Sequence, residues 1–264
     1  MRYFIHLAYN GSNYSGWQRQ KNTGKTLQET IEQTLSKLFK QEMYVHGCGR
    51  TDAGVHASQY VFQIDLPEAL NFDLKFRLNK NLPDGIAVFE VIPVNSNQHC
   101  QYGAVARTYD YFIHWHKNPV LLPHSAYYEG LAVNFPLMQE AAALILKTKD
   151  FKQLCRQPES YPNTLCEISH CQLFINKQQG RIRFTITSNR FLRGMIRISV
   201  FLLLEVGKGN LTLEDFRKIL HQEKELKVKR LAAPNGLFLS SINYPFLELN
   251  PYYNSVKMLR QGLE

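Results

Sequence analysis

HGCGRTDAGVHA, residues 46–57, lies between two apolar runs, Met43–Cys48 and Tyr60–Ile64. Both runs carry the branched and aromatic residues of β-strands, and the second alternates inward and outward. The stretch therefore connects strand to strand. A plain connection needs one or two turn formers, whereas this one has three Gly in twelve residues and sets Asp52 directly after Arg50 and Thr51. Glycine lets a backbone approach a ligand closely and lets a side chain project from a tight turn. Asp52 then has two readings: a turn aspartate bonded to its own backbone, or an ionised carboxylate serving as nucleophile or base.

Outward from this loop the pattern is strand, helix, strand, repeated. RYFIHLAY (2–9) reads as a strand that ends in the turn NGSN. Thr26–Lys40 reads as a helix with Leu27, Ile31, Leu35 and Leu38 on one face and a Thr26/Glu29 capping box at its start. A short helix near Phe72–Lys80, the turn NLPDG and a strand near Ile86–Val94 follow. The second half opens on ARTYDYFIHW (106–115), where Arg107, Tyr109, Tyr111, Ile113 and Trp115 share a face. A helix over Pro136–Leu146 and a hairpin over residues 171–188 come next. A long helix from about Phe191 to Val206, a helix over Thr212–His221 and a last strand, GLFLSSINY, complete the pattern. Two similar halves of mixed strands and helices predict an α+β fold, each half an antiparallel sheet with helices on one face. The irregular NSNQHCQYGA places the expected boundary between domains at residues 1–103 and 104–264.

The chain has 264 residues, 44% of them hydrophobic, enough for a sizeable core and against general disorder. Its net charge of +9 favours a polyanionic partner, nucleic acid before an anionic membrane. The five Cys form no C-x-x-C pair, which counts against a disulfide framework and against structural zinc. The longest apolar run, SVFLLLEV (199–206), falls far short of a membrane span, and the first residues lack a signal-peptide pattern. The expectation is a cytoplasmic protein without a membrane anchor. No Walker, G-x-S-x-G or H-E-x-x-H motif is present. His114 and His116 share a strand face with no third ligand at a telling spacing, so no metal is expected.

The predicted long helix is apolar nearly all round, yet Arg190, Arg193 and Arg197 fall on one stripe of it. Arg190 and Arg193 read as snorkelling to water or as contacting phosphate. Arg197, further in, calls for a fixed carboxylate, and Asp52 is the candidate. Tyr109, beside Arg107 on its strand, reads either as a half-buried strand residue or as a platform for stacking a base.

GRTDAGVHA resembles the signature loop of the tRNA pseudouridine synthase A family. YNGSNYSGWQRQ (9–20), ARTYDY (106–111), RFLRGMIR with LLLEVGKG (190–209) and AAPNGLFLSSINYP (232–245) resemble its other motifs, in order. The resemblance implies that Asp52 is the nucleophile, Arg197 its ion-pair partner and Tyr109 the residue that packs on the target base. Arg50 would open space for, or hold, the flipped nucleotide, and Arg107, Arg190 and Arg193 are read beside it as substrate contacts. It implies conversion of uridine to pseudouridine in the anticodon arm of tRNA, commonly at positions 38 to 40, by a homodimer with no cofactor or metal. The active-site cleft would lie between the two halves. An alternative is an idle paralogue acting as a tRNA-binding module. The chain departs from the family pattern at Gln101, where Arg is usual, and at Leu154 and Cys155. It departs also in YPNTLCEIS (161–169), which lacks the usual basic residues.

Overall fold

The computed structural model describes residues 1–250 and 256–263. The chain divides into two compact units, Met1–Val105 with Phe238–Lys257, and Ala106–Leu237 with Met258–Glu264. The α+β expectation holds, with six helices among the described residues and strands that pair mostly antiparallel. The return of residues 238–257 to the first unit has no signal in the local pattern.

In the first unit β4 (Ile86–Val94), β1 (Arg2–Tyr9), β3 (His56–Asp65) and β9 (Leu237–Asn243) lie side by side in that order. Strand β1 (Arg2–Tyr9) lies in the middle of this sheet and is buried along most of its length. It pairs antiparallel with β3 (His56–Asp65), Ile5 opposite Phe62 and Leu7 opposite Tyr60. On its other side it pairs antiparallel with β4 (Ile86–Val94). The start of β3 runs parallel to β9 (Leu237–Asn243), His56 opposite Phe238. The side chain of Gln59 extends this pairing by accepting the Ile242 N–H at 2.8 Å.

Helix α1 (Leu27–Phe39) is capped by Thr26, whose hydroxyl accepts the Glu29 N–H at 3.3 Å. Its next two free N–H groups, Leu27 and Gln28, donate to the carbonyls of Gly16 and Trp17 at 3.1 and 3.0 Å. The helix start is thus bonded to the first glycine-rich segment. Helix α2 (Leu74–Asn81), capped by Asp73, packs against α1 and β4. Strand β2 is only His46–Gly47, shorter than the predicted Met43–Cys48. The Met43 and Val45 N–H groups go instead to the side chains of Ser36 and Glu32, at 2.9 and 3.1 Å.

In the second unit β5 (Ala106–His114), β8 (Arg181–Ser188) and β7 (Ile168–Asn176) form an antiparallel sheet, with β8 central. The short β6 (Ala126–Tyr127) runs parallel to β5. Helix α3 (Phe135–Lys147), capped by Asn134, packs on β7, α4 and α5. Helix α4 (Met195–Gly207) is apolar on most faces and correspondingly buried. Helix α5 (Leu213–Leu220) is capped by Thr212.

Asp110 of β5 is fully buried and ion-paired with Arg183 of β8 at 2.7 Å. It is also paired with Arg260 of the last helix, α6 (Lys257–Arg260). Burial opposes its ionisation, but the charges of Arg260 and Arg183 outweigh that and hold its carboxyl below the usual carboxylate range. Arg183 also donates to the Leu263 carbonyl at 3.2 Å, which ties Leu263 to the sheet. Among the described residues no helix is long and apolar enough to cross a membrane.

Candidate functional site

In the first unit the Asp52 loop and the segment Tyr9–Gln20 are built together. Val55 N–H donates to the Asp52 carbonyl at 3.2 Å, closing a four-residue turn. Gly54, third in that turn, has φ 75°, where type II turns place glycine. Asp52 is half-buried at the head of this turn. Gly11 packs so closely that a Cβ there would lie 1.9 Å from the Val55 carbonyl oxygen. The Gly11 N–H donates to His56 Nδ1 at 3.1 Å, and the His56 ring stacks on Phe238 with centroids 4.6 Å apart.

The residues before Asp52 are fixed as firmly. The Thr51 carbonyl accepts the Trp17 N–H at 3.1 Å, and its hydroxyl bonds the buried Tyr9 hydroxyl at 2.8 Å. Trp17 lies against Tyr60, centroids 4.1 Å apart, and a Cβ on Gly47 would come within 2.2 Å of the Tyr60 hydroxyl oxygen. Tyr60 donates to the Gly49 carbonyl, and burial pushes its own pKa well up, so it stays neutral. Arg50 is exposed, with Nε donating to Gln18 Oε1 at 3.1 Å. In the loop Gly54 therefore serves the turn and Gly47 leaves room for the Tyr60 and Trp17 side chains, and the loop offers one half-buried carboxylate and one exposed guanidinium.

The second unit holds Tyr109, Arg107, Arg190, Arg193 and Arg197. Tyr109 is 7% exposed in β5, opposite Ile186, with its ring edge-on to Phe191 at 5.1 Å. Arg107 is half-buried and reaches the Asn189 carbonyl at 3.4 Å. Helix α4 begins at Met195, not near Phe191 as expected, because Gly194 stands before it with φ 75°, outside the right-handed helical region. Arg190 and Arg193 are thus not on a helical stripe with Arg197 but in the irregular segment ahead of it. Arg197 lies in the first turn of α4. Its Nε donates to the Ala232 carbonyl at 2.7 Å, and its own carbonyl accepts the Ala232 N–H at 3.0 Å.

The closing motif thereby fixes Arg197, and the carbonyl of Ala233 accepts the buried Tyr111 hydroxyl at 2.7 Å. Gly236 allows this approach, since a Cβ there would lie 2.5 Å from the Phe112 carbonyl oxygen. Tyr9, Gln18 and Ala232 lie within the quoted motifs, but the bonds by which they fasten Thr51, Arg50 and Arg197 were not foreseen. Their roles are tertiary and leave no trace in local spacing. Among the described residues no three His, Cys, Asp or Glu side chains gather as a metal-binding group.

The first unit thus carries Asp52 on its glycine-rich loop, and the second carries Tyr109 on a strand with Arg107, Arg190, Arg193 and Arg197. The tRNA pseudouridine synthase family fits the chain over residues 6–103 and 141–245. The chain is 39% identical over 245 residues to a tRNA pseudouridine synthase A of Azobacteroides pseudotrichonymphae, covering 92% of this chain and 97% of that protein. It is 39% identical over 248 residues to that of Bacteroides thetaiotaomicron, covering 92% and 91%. It is 35% identical over 247 residues to that of Streptococcus agalactiae serotype III, covering 92% and 95%. The chain belongs to the tRNA pseudouridine synthase family, a family of isomerases.

Proposed function

We propose that the protein converts uridine to pseudouridine in the anticodon stem-loop of tRNA, at positions 38 to 40, with Asp52 as nucleophile. The observation that carries this reading is the Asp52 loop. Its backbone is held by Gly11 and Trp17, and its Thr51 hydroxyl by Tyr9, which sets the stretch that carries the carboxylate. Family membership supplies the substrate class, and the net charge of +9 suits a folded RNA.

The reaction needs little else. The bond from the sugar C1′ to uracil N1 breaks, the base turns, and a bond from C1′ to C5 forms. C5 gives up a proton and N1 takes one up, so the composition is unchanged and no water or redox partner enters. Asp52 attacks the sugar carbon or the uracil ring, and in either case forms a bond that a neutral amide cannot. A base in a stem must first be turned out, at a cost of a few kcal/mol. We assign Tyr109 to pack on that base, Arg50 to hold the flipped nucleotide, and Arg107, Arg190 and Arg193 to the RNA backbone. Arg197 is assigned to keep Asp52 ionised. The active unit is taken to be a homodimer in the cytoplasm, a reducing compartment that suits five buried cysteine thiols.

The test is site mapping. A tRNA transcript is incubated with the protein, pseudouridine is labelled chemically, and the labelled positions are read by mass spectrometry. Label confined to positions 38 to 40 is expected. Label elsewhere would overturn the assignment of site, and unchanged uridine would overturn the activity in favour of an idle tRNA-binding paralogue.

A further inference from the structure

The residues Arg156–Tyr161 grip the arginine segment ahead of α4. The Arg156 N–H donates to the Arg193 carbonyl at 3.0 Å. Gln157 Oε1 accepts a hydrogen bond from the Arg193 guanidinium. The Tyr161 hydroxyl accepts the Arg193 N–H at 3.0 Å, and the Arg190 guanidinium lies over the Tyr161 ring, 5.6 Å from its centroid. One half-buried tyrosine therefore engages both arginines, one through its hydroxyl and one through its ring face. Tyr161 is itself fixed by the short 3-10 turn Pro158–Ser160, its N–H donating to the Pro158 carbonyl at 3.2 Å.

The arginine segment needs such a support. The β8 ladder ends at Ser188 and α4 begins at Met195, so neither ladder sets the course of the residues between. A free arginine side chain carries about 2 kcal/mol of rotamer entropy, much of which is lost when it meets a phosphate. Holding it beforehand lowers that loss. An aromatic ring attracts the guanidinium face and leaves the in-plane N–H groups to meet phosphate oxygens in pairs. The strand-leading YPNTLCEIS has no basic residue of its own, so what it contributes is its hold on the neighbouring cations.

We propose that Tyr161 is a positioning residue for substrate, setting Arg190 and Arg193 to receive the phosphates of the RNA backbone. This rests on the reading of the protein as a tRNA-acting enzyme. The experiment compares Tyr161→Phe and Tyr161→Leu, in the wild-type chain and in an Arg190→Gln/Arg193→Gln chain. It measures KM, kcat, Kd for tRNA and thermal midpoint. Tyr161→Phe keeps the ring and should raise KM about threefold through the lost hydroxyl bond. Tyr161→Leu should raise it about tenfold, with a smaller change in kcat. In the double-glutamine chain the N–H of residue 193 still reaches Tyr161, but the two guanidinium groups it sets in place are gone, so Tyr161→Leu should change KM by less than about twofold.

An equal rise in both backgrounds would overturn the proposal, as would a fall in kcat at unchanged KM. If Tyr161→Leu does not fold, the Tyr161→Phe pair decides by the same comparison. A wild-type chain that binds tRNA and makes no pseudouridine would refute the activity alone, and the cycle read in Kd then decides for Tyr161. A chain that does not bind tRNA would refute both.

Discussion

Replacing Gly11 by alanine should break the Asp52 loop from outside it. The new Cβ would lie 1.9 Å from the Val55 carbonyl oxygen, 2.6 Å from its carbonyl carbon and 3.2 Å from its nitrogen. Non-bonded heavy atoms rest at about 3.5–4.0 Å, so one side must move by more than about 1 Å. All three atoms are backbone, so no rotamer relieves the clash. The Val55 N–H is bonded to the Asp52 carbonyl and the Gly11 N–H to His56, so movement loosens both bonds. Overpacking costs about 1–3 kcal/mol and a weakened hydrogen bond about 1 kcal/mol. The lower entropy of the unfolded alanine chain returns about 0.4–1 kcal/mol. With both bonds weakened a net loss of about 2–4.6 kcal/mol follows. In a chain of this size that lowers the thermal midpoint by about 4–18 °C.

A shift of about 1 Å at a reacting group costs about 100-fold in rate, so pseudouridine formation should fall by that order. Gly85→Ala is the control, because its Cβ would meet nothing closer than the Asn10 carbonyl oxygen at 3.8 Å. The assay is thermal unfolding followed by single-turnover conversion of tRNA at a temperature where every variant is folded. A Gly11→Ala protein that melts within about 2 °C of wild type and reacts at full rate would refute the reasoning.

Two further outcomes are expected. Tyr109→Phe should keep most activity because the ring edge-on to Phe191 survives, whereas Tyr109→Leu should weaken productive binding by about 1–3 kcal/mol; single-turnover rates against tRNA concentration check this, and equal behaviour would make Tyr109 a sheet residue only. The ion pairs hold the Asp110 carboxyl below its unfolded value of about 3.9. The stability they give is therefore complete above that value and is lost as pH falls through the lowered folded one. Asp110→Asn strands Arg183 and Arg260 and should cost about 3–5 kcal/mol near neutral pH. The gap to wild type should narrow in urea titrations run below about pH 4, and a gap unchanged by acid would remove Asp110 from the account.

What the sequence showed of this fold follows the reach of its signals. RYFIHLAY and Ile86–Val94 were legible as strands because branched and aromatic residues fill them, and the Thr26 cap marked the start of α1. The start of β3 at His56 was not legible, since it depends on pairing with Phe238, far along the chain. The true start of α4 was masked because apolar residues run on through RFLRGMIR. Gly194, with its positive φ, was the one local sign of the break. In the candidate site, Asp52, Tyr109 and Arg197 stood out by charge and motif. The groups that hold the site residues in place did not, because a tyrosine under an arginine or a carbonyl beside a guanidinium is ordinary in sequence and specific only in space.

The most direct measurement is the rate of pseudouridine formation in tRNA by wild-type protein and by Asp52→Asn, with tRNA affinity measured alongside. Asparagine keeps the shape of the side chain and removes its charge and nucleophilicity. Unchanged binding and no detectable product are expected from the variant. Product formed by Asp52→Asn at a rate near wild type would contradict that expectation.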